Sequence, residues 1–456
     1  MEEQNSRPAE TKNGGLTSRD YERSRLMAIL EGVSARIIFC FTTGAFLTGY
    51  LKYIGADDRV CGQIAAIPVL AGVIQFFSPM LLEKLNTRKK WVTLFNMLHR
   101  LMLIMLVFVP LLPVSISSRL YIIAGLYFLS HLMVNMVMPA TSSLIISLVP
   151  QGMRGKYFSI RETYLIFISS SLNVAMGWIL DGLKLQDKTY GGYLVMYGVA
   201  LLAMVMNLIS YIKIKEPSFV SVKIEIKFKK LFFMPLKDKG FRKIIFLFFL
   251  WGLSINFSSP FFSIYMVSRL QLSYTFITVN GLLFSVCYII AVRFWGKISD
   301  RKTFTYTAML SMGLLGIAHG SWFFAAIGMP LTNAIIVLLH IISGVAWGGI
   351  NISLFNIPYE YSPEEGKTVY LGFNSALSGV VGFISSMGAS WIVGSMANYK
   401  EQFIGIPVTQ MQLVFAISGI MTLLSALYIR VIVINKKALS EQRLSIAVDT
   451  KECNQQ

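Results

Sequence analysis

The sequence predicts an all-α polytopic membrane protein of twelve transmembrane helices, arranged as two pseudo-symmetric six-helix bundles. Three observations lead there. Of 456 residues, 55% are hydrophobic and only 14% charged, with mean hydropathy +0.61, a composition few water-soluble folds tolerate. Apolar runs of about 18 residues or more recur along the chain, each long enough to cross a hydrocarbon core. Two short charged turns also sit at matching places, 217 residues apart: Pro79-Met-Leu-Leu-Glu83-Lys84 and Gly296-Lys-Ile-Ser-Asp300-Arg301-Lys302. A second echo pairs Pro150, Arg154 and Tyr157 with Pro363, Lys367 and Tyr370, each 213 apart. A helix satisfies its own backbone polar groups in lipid, so the runs read as helices.

Residues 1–26 form a polar N-terminal tail and 27–213 a first bundle, with spans at 27–50, 60–83, 91–113, 119–148, 157–182 and 192–213. A basic linker follows at 214–243. The second bundle, 244–434, has spans at 244–268, 275–296, 304–327, 330–358, 369–395 and 410–434, and 435–456 is a C-terminal tail. With the N-terminus inside, 29 Lys and Arg fall on the cytoplasmic side and seven outside. This bias predicts that both termini are cytoplasmic, in an inner or plasma membrane. The net charge of +18 then faces the anionic leaflet of the lipid bilayer and calls for no nucleic-acid partner.

Cys40, Cys61, Cys287 and Cys453 lack metal-site spacing, and a structural disulfide is not expected. The N-terminal tail, with five bases and five acids, is not a signal peptide. No phosphate-binding glycine loop, paired-His metal site or nucleophile elbow is present. The expectation is therefore no cofactor, no metal and no enzymatic activity. Duplication in an apolar chain points instead to a transporter with its site between the halves.

The turn at 296–302 resembles the signature loop between the second and third helices of each half in major facilitator superfamily transporters. The first-half turn is a degenerate copy, with Pro79 in place of the usual Gly and Glu83-Lys84 in place of Asp-Arg. The resemblance covers all twelve spans and implies alternating access around a central site. It also implies that Asp300, followed by Arg301, contacts the start of the fifth span near Tyr157, with Lys156 and Arg161 close by. Glu83, followed by Lys84, would do the same for the eleventh span near Thr368. A carboxylate at a helix N-terminus gains roughly 0.3–1 kcal/mol, so both contacts would hold the cytoplasmic side closed. The fifth span, Tyr164 to Gly177, lacks the Gly-Pro pattern of many drug/proton antiporters.

In that family fold the first, fourth, seventh and tenth helices line the cavity. The fourth presents His131, Asn135 and Ser142 on one face; the tenth presents His340, Ser343, Trp347 and Asn351. The seventh adds Trp251, Ser254 and Asn256 before Pro260. Indoles cover apolar or sugar-ring faces, while imidazoles and amides supply directional hydrogen bonds. Interhelical polar contact is the competing explanation for each of these residues. Arg36, deep in the first span, must be bridged to a carboxylate or await an anionic ligand. Glu31 lies on a rather different face, and Glu162 or Glu360 is the alternative partner. His99 and Arg100, on a helix that is peripheral in the family, are expected to be structural.

The functional expectation is a monomeric secondary transporter of a neutral or weakly charged small organic solute, coupled to a proton. His131, His340, Glu31 and Glu162 are the coupling candidates. Nutrient uptake and efflux of drugs or toxic metabolites fit about equally, and a transporter-like solute receptor is the alternative of another class.

Overall fold

The computed structural model describes residues 16–77, 88–217, 228–363 and 367–434. Glu83 and Lys84 lie outside these residues. The first span begins earlier than its apolar run, because a capping box starts helix α1 (Ser18–Phe41): Thr17 and Asp20 each accept the other's backbone N–H. Its continuation, α2 (Gly44–Ile54), is bent away by 41°. Thr42 and Thr43 turn their hydroxyls back onto the carbonyls of Ile38 and Phe39, and Gly44 takes φ +57°. Hydroxyl back-bonding and a left-handed residue together break the helix.

Asp57 caps α3 (Asp58–Ala71), accepting from the Val60 N–H at 2.7 Å, and a 3₁₀ turn extends it to Phe76. The N-terminal half is completed by α4 (Arg88–Met105), α5 (Ile116–Ser147), α6 (Arg154–Leu185) and α7 (Thr189–Lys213). A short helix, α8 (Phe228–Lys237), precedes the second half. That half contains α9 (Arg242–Ile264), α10 (Tyr274–Arg301), α11 (Phe304–Ser321), α12 (Thr332–Tyr361), α13 (Lys367–Ser395) and α14 (Gln410–Tyr428). Strands β1 (Lys400–Phe403) and β2 (Ile406–Thr409) form an antiparallel hairpin between α13 and α14. Its two-residue turn, Ile404-Gly405, has positive φ at both positions, which matches the strand twist.

Among the described residues nine helices are long and apolar enough to cross a membrane, and the bent α1–α2 pair makes a tenth. Helices α3 and α11 occupy the two remaining places of a twelve-span layout. The sequence of α11 carries Thr305, Thr307, Ser311 and His319, all buried against neighbouring helices, which dilutes its apolar signal.

The same packing scheme appears in both halves. In the first, α1 packs on α6 and α7, while α5 packs on α3 and α4. In the second, α9 packs on α13 and α14, while α12 packs on α10 and α11. The halves meet where α3 crosses α13 and where α6 crosses α10. We call the end where α1 starts proximal and the other distal.

Close crossings depend on small residues. A Cβ on Gly344 of α12 would lie 2.5 Å from the Phe284 carbonyl oxygen of α10. At the α11–α14 crossing a Cβ on Gly419 would lie 2.5 Å from the Gly320 nitrogen and 2.8 Å from the Gly316 oxygen. Backbone cannot step aside as a side chain can. Gly419→Leu is therefore expected to lower the unfolding temperature of the purified protein by several degrees or abolish the folded yield. Gly313→Ala, with open space around it, should be nearly neutral in the same measurement.

Candidate functional site

A cavity of about 750 Å³ lies inside the N-terminal half, walled by α1, α3, α4, α5 and α6. Its charged floor is built around Glu31, 4% exposed. One carboxylate oxygen of Glu31 lies 3.7 Å from Arg100 and accepts from the Tyr211 hydroxyl at 3.1 Å; the other lies 3.3 Å from Arg161. Asn207 donates to the Glu31 carbonyl at 2.9 Å and to the Ser34 hydroxyl at 2.8 Å. Arg100 also donates to the Asn96 carbonyl, and Arg161 to that of Ala28. Four helices (α1, α4, α6, α7) are thus tied at one carboxylate. Ionic groups at membrane depth persist when paired and hydrogen-bonded in this way.

Above this floor sit two imidazoles. His131 Nδ1 lies 2.9 Å from the Tyr127 carbonyl oxygen. His99 Nδ1 lies 3.0 Å from the Ser130 carbonyl oxygen and 2.7 Å from its hydroxyl. The rings meet edge to face, 5.4 Å apart. Asn135 donates to the His131 carbonyl at 2.8 Å and accepts from Gln75 of α3. Arg36 lines the same cavity and faces Glu162 at 3.7 Å.

The structure thus brings Arg36, His131 and Asn135 together and places Glu31 beside them. It adds His99, which the sequence assigned to a peripheral helix: in this chain α4 packs against α5 closely enough to put its ring in the cavity wall. Arg161, read from sequence as a gating partner of Asp300, is engaged by Glu31 instead. The C-terminal candidates do not join this cavity. Trp251 is buried edge-on to Trp347 at 5.7 Å, and Asn256 donates to the Gly252 carbonyl within its own helix. His340 packs against Trp322 at 5.8 Å, and Asn351 donates to the Tyr288 hydroxyl of α10. Each is explained by contacts between or within helices.

Hydrogen bonds and ion pairs joining the halves gather at the distal end. Asp181 of α6 accepts the N–H of Tyr274 at 2.9 Å, the N–H of Thr275 at 2.7 Å and the Thr275 hydroxyl at 2.6 Å. Together with Ser273, which accepts from Phe276, it satisfies the first three N–H groups of α10. The Tyr193 and Tyr274 hydroxyls meet at 3.2 Å. Asp58 contacts Lys52 of its own half and, from the other half, Ser268 at 2.9 Å and Arg269 at 2.9 Å. The proximal end differs: Asp300 is exposed, and among the described residues it makes no hydrogen bond or ion pair. Arg301 beside it is also exposed. None of the distal contacts was anticipated from sequence. Asp181 lies near the end of a predicted span, where an acid reads as an ordinary boundary charge.

Residues 32–386 match the Major Facilitator Superfamily, and the chain belongs to it. No curated protein sequence matches. Among solved structures, a variant of the nucleoside transporter NupG is similar with TM-score 0.69 at 12% identity, over 89% of this chain and 99% of that one. A D-xylose-proton symporter is similar with TM-score 0.62 at 13% identity, over 90% and 96%. A bacterial homologue of the iron transporter ferroportin, in an inward-facing state, is similar with TM-score 0.66 at 15% identity, over 90% and 98%. The protein is a multi-pass membrane protein with the fold of this transporter family.

Removing one partner of a buried ion pair costs about 3–5 kcal/mol, because the other charge is stranded. Glu31→Gln leaves two guanidiniums facing a neutral amide and is expected to cut the folded yield sharply. Arg100→Met in the Glu31→Gln background should recover part of it. Gel-filtration yield and thermal unfolding of the purified variants check both outcomes.

Proposed function

We propose that the protein is a monomeric secondary active transporter that carries a small organic solute by alternating access, coupled to a proton. The observation that carries this reading is the seal between the halves at the distal end, with Asp300 at the proximal end exposed and unpaired among the described residues. The excess of Lys and Arg in the proximal loops supports a cytoplasmic proximal end in the cell membrane. On that orientation the conformation faces inward. Closing the proximal side would bring Asp300 toward the start of α6 while Asp181 leaves α10.

Proton coupling is supported by carboxylates and imidazoles in one cavity. Glu31 binds Arg161 across α1 and α6; taking up a proton would cancel its charge and loosen that tie. His131 and Glu162 line or flank the same space, and His340 stands on the corresponding helix of the other half. The D-xylose-proton symporter among the structural neighbours supports a proton as the coupling ion. Uptake and efflux of the solute use the same cycle run in opposite directions.

Counterflow in proteoliposomes separates a transporter from a receptor, since a receptor binds solute without exchanging it. The gate has its own test. Asp181→Asn removes the charge and one acceptor oxygen from the α10 N-terminus. In a background with the four native cysteines changed to serine, labelling of Thr278→Cys by an impermeant maleimide should rise several-fold with Asp181→Asn. Unchanged labelling would contradict a gating role for Asp181.

A further inference from the structure

The charges around the cavity do not cancel. Three guanidiniums, Arg36, Arg100 and Arg161, stand against two carboxylates, Glu31 in the wall and Glu162 beside Arg36. Glu31 is shared by Arg100 and Arg161. Arg36 has only Glu162, 3.7 Å away, with the two side chains 42% and 48% exposed. The Arg100–Glu31 pair has the same separation but is buried, whereas this one is open to solvent, and among the described residues Arg36 donates no hydrogen bond. Its five-donor fork is therefore available in the cavity wall.

A second, separate cavity of about 340 Å³ at the distal seam repeats the imbalance, with Lys52, Arg59 and Arg269 against Asp57 and Asp58. Asp57 spends an oxygen on the cap of α3, and Arg269 Nε is buried without a partner. With Glu162 counted beside the first, each of these two cavities carries one more base than acid. Low-dielectric walls focus such a field and concentrate anions.

The imidazoles add a second demand. Carbonyl oxygens only accept, so His131 Nδ1 carries the hydrogen in its bond to Tyr127, while His99 Nδ1 is engaged by the carbonyl and hydroxyl of Ser130. His131 Nε2 is left as an acceptor, and neither ring's Nε2 has a hydrogen-bond partner among the described residues.

We propose that the cavity takes a small hydroxylated monocarboxylate, its carboxylate on Arg36 and its hydroxyls on the Nε2 atoms of His99 and His131. This deepens the transporter reading and rests on it. One surplus charge decides the class. A phosphate monoester carries about −1.5 to −2 near neutral pH and overshoots it, a neutral sugar leaves the guanidinium unsatisfied, and a cation is repelled.

The test uses the full-length protein in detergent and in proteoliposomes, with D-gluconate and lactate as carboxylate probes. D-glucose, glucose 6-phosphate and glucosamine are the neutral, phosphorylated and cationic controls. A carboxylate probe should raise the unfolding temperature and exchange in counterflow more strongly than any control. Arg36→Gln should weaken that binding by about tenfold or more, the scale of a lost charge-assisted hydrogen bond, and Arg36→Lys by less. Stabilisation by a control in preference to both carboxylates, or by no carboxylate at all, overturns the proposal. So does full affinity in a folded Arg36→Gln protein. The charge selectivity is read on the unaltered protein, so a variant that fails to fold does not remove the test. Carboxylate binding without counterflow would overturn the transporter reading alone; counterflow of a neutral solute would overturn the carboxylate alone.

Discussion

The carboxylate of Asp181 is the contact on which the conformation turns. It belongs to one half of the molecule, yet it satisfies two backbone N–H groups at the start of a helix in the other. An open helix N-terminus carries unpaired donors and partial positive charge, so leaving it bare is costly and filling it from across the seam holds the halves together. Gly177, one turn earlier on α6, permits the approach: a Cβ there would come within 2.7 Å of the Thr278 hydroxyl and 3.0 Å of the Tyr274 backbone. Tight packing and a charge-assisted cap act at the same point. In the proposed cycle this contact breaks and an equivalent one forms near Asp300.

Duplication has kept the scaffold and let the interiors diverge. All four histidines lie on matching helices, His99 and His131 on α4 and α5, His319 and His340 on α11 and α12. In the first half the two rings face each other beside a cavity. In the second, His319 is buried against Ser258 and Ser418 at 3.4 and 3.3 Å, and His340 leans on Trp322. Ion pairs hold the first interior, whereas hydroxyls and aromatic rings fill the second. Phe262, for example, stacks on Phe415 with ring centroids 4.6 Å apart.

Spans were legible because apolar length is a local property, although α1 starts at Ser18, ahead of its apolar run, and the end of the second predicted span lies outside the described residues. The break at Thr42–Gly44 was not legible, since two threonines and a glycine inside an apolar run give no periodicity signal. The seventh, tenth and fourth spans were read as contributing alike to a site. His131 and Asn135 do line this cavity, whereas Trp251 and His340 pack on aromatic rings, Asn256 bonds within its own helix and Asn351 reaches Tyr288. Helical spacing shows that residues share a face and says nothing of what that face meets. Glu31 illustrates the limit best: its partners Arg100, Arg161 and Tyr211 come from three other helices, a convergence that only the packing of α1 against α6 and α7 creates. Arg36, by contrast, was marked by depth alone, because a guanidinium in a span needs either a carboxylate or a ligand.

The central claim is that α6 and α10, joined distally through Asp181, part there as their proximal ends come together near Asp300. Spin labels at Lys184 and Val279 report the distal separation, and labels at Lys156 and Lys297 report the proximal one, on the same two helices. Pulsed electron–electron distance measurements on both pairs in lipid nanodiscs, across a range of pH, test the claim directly. The account predicts two populations whose distances change in opposite directions, the distal pair lengthening as the proximal pair shortens. Distances that stay fixed, or that lengthen together, would contradict it.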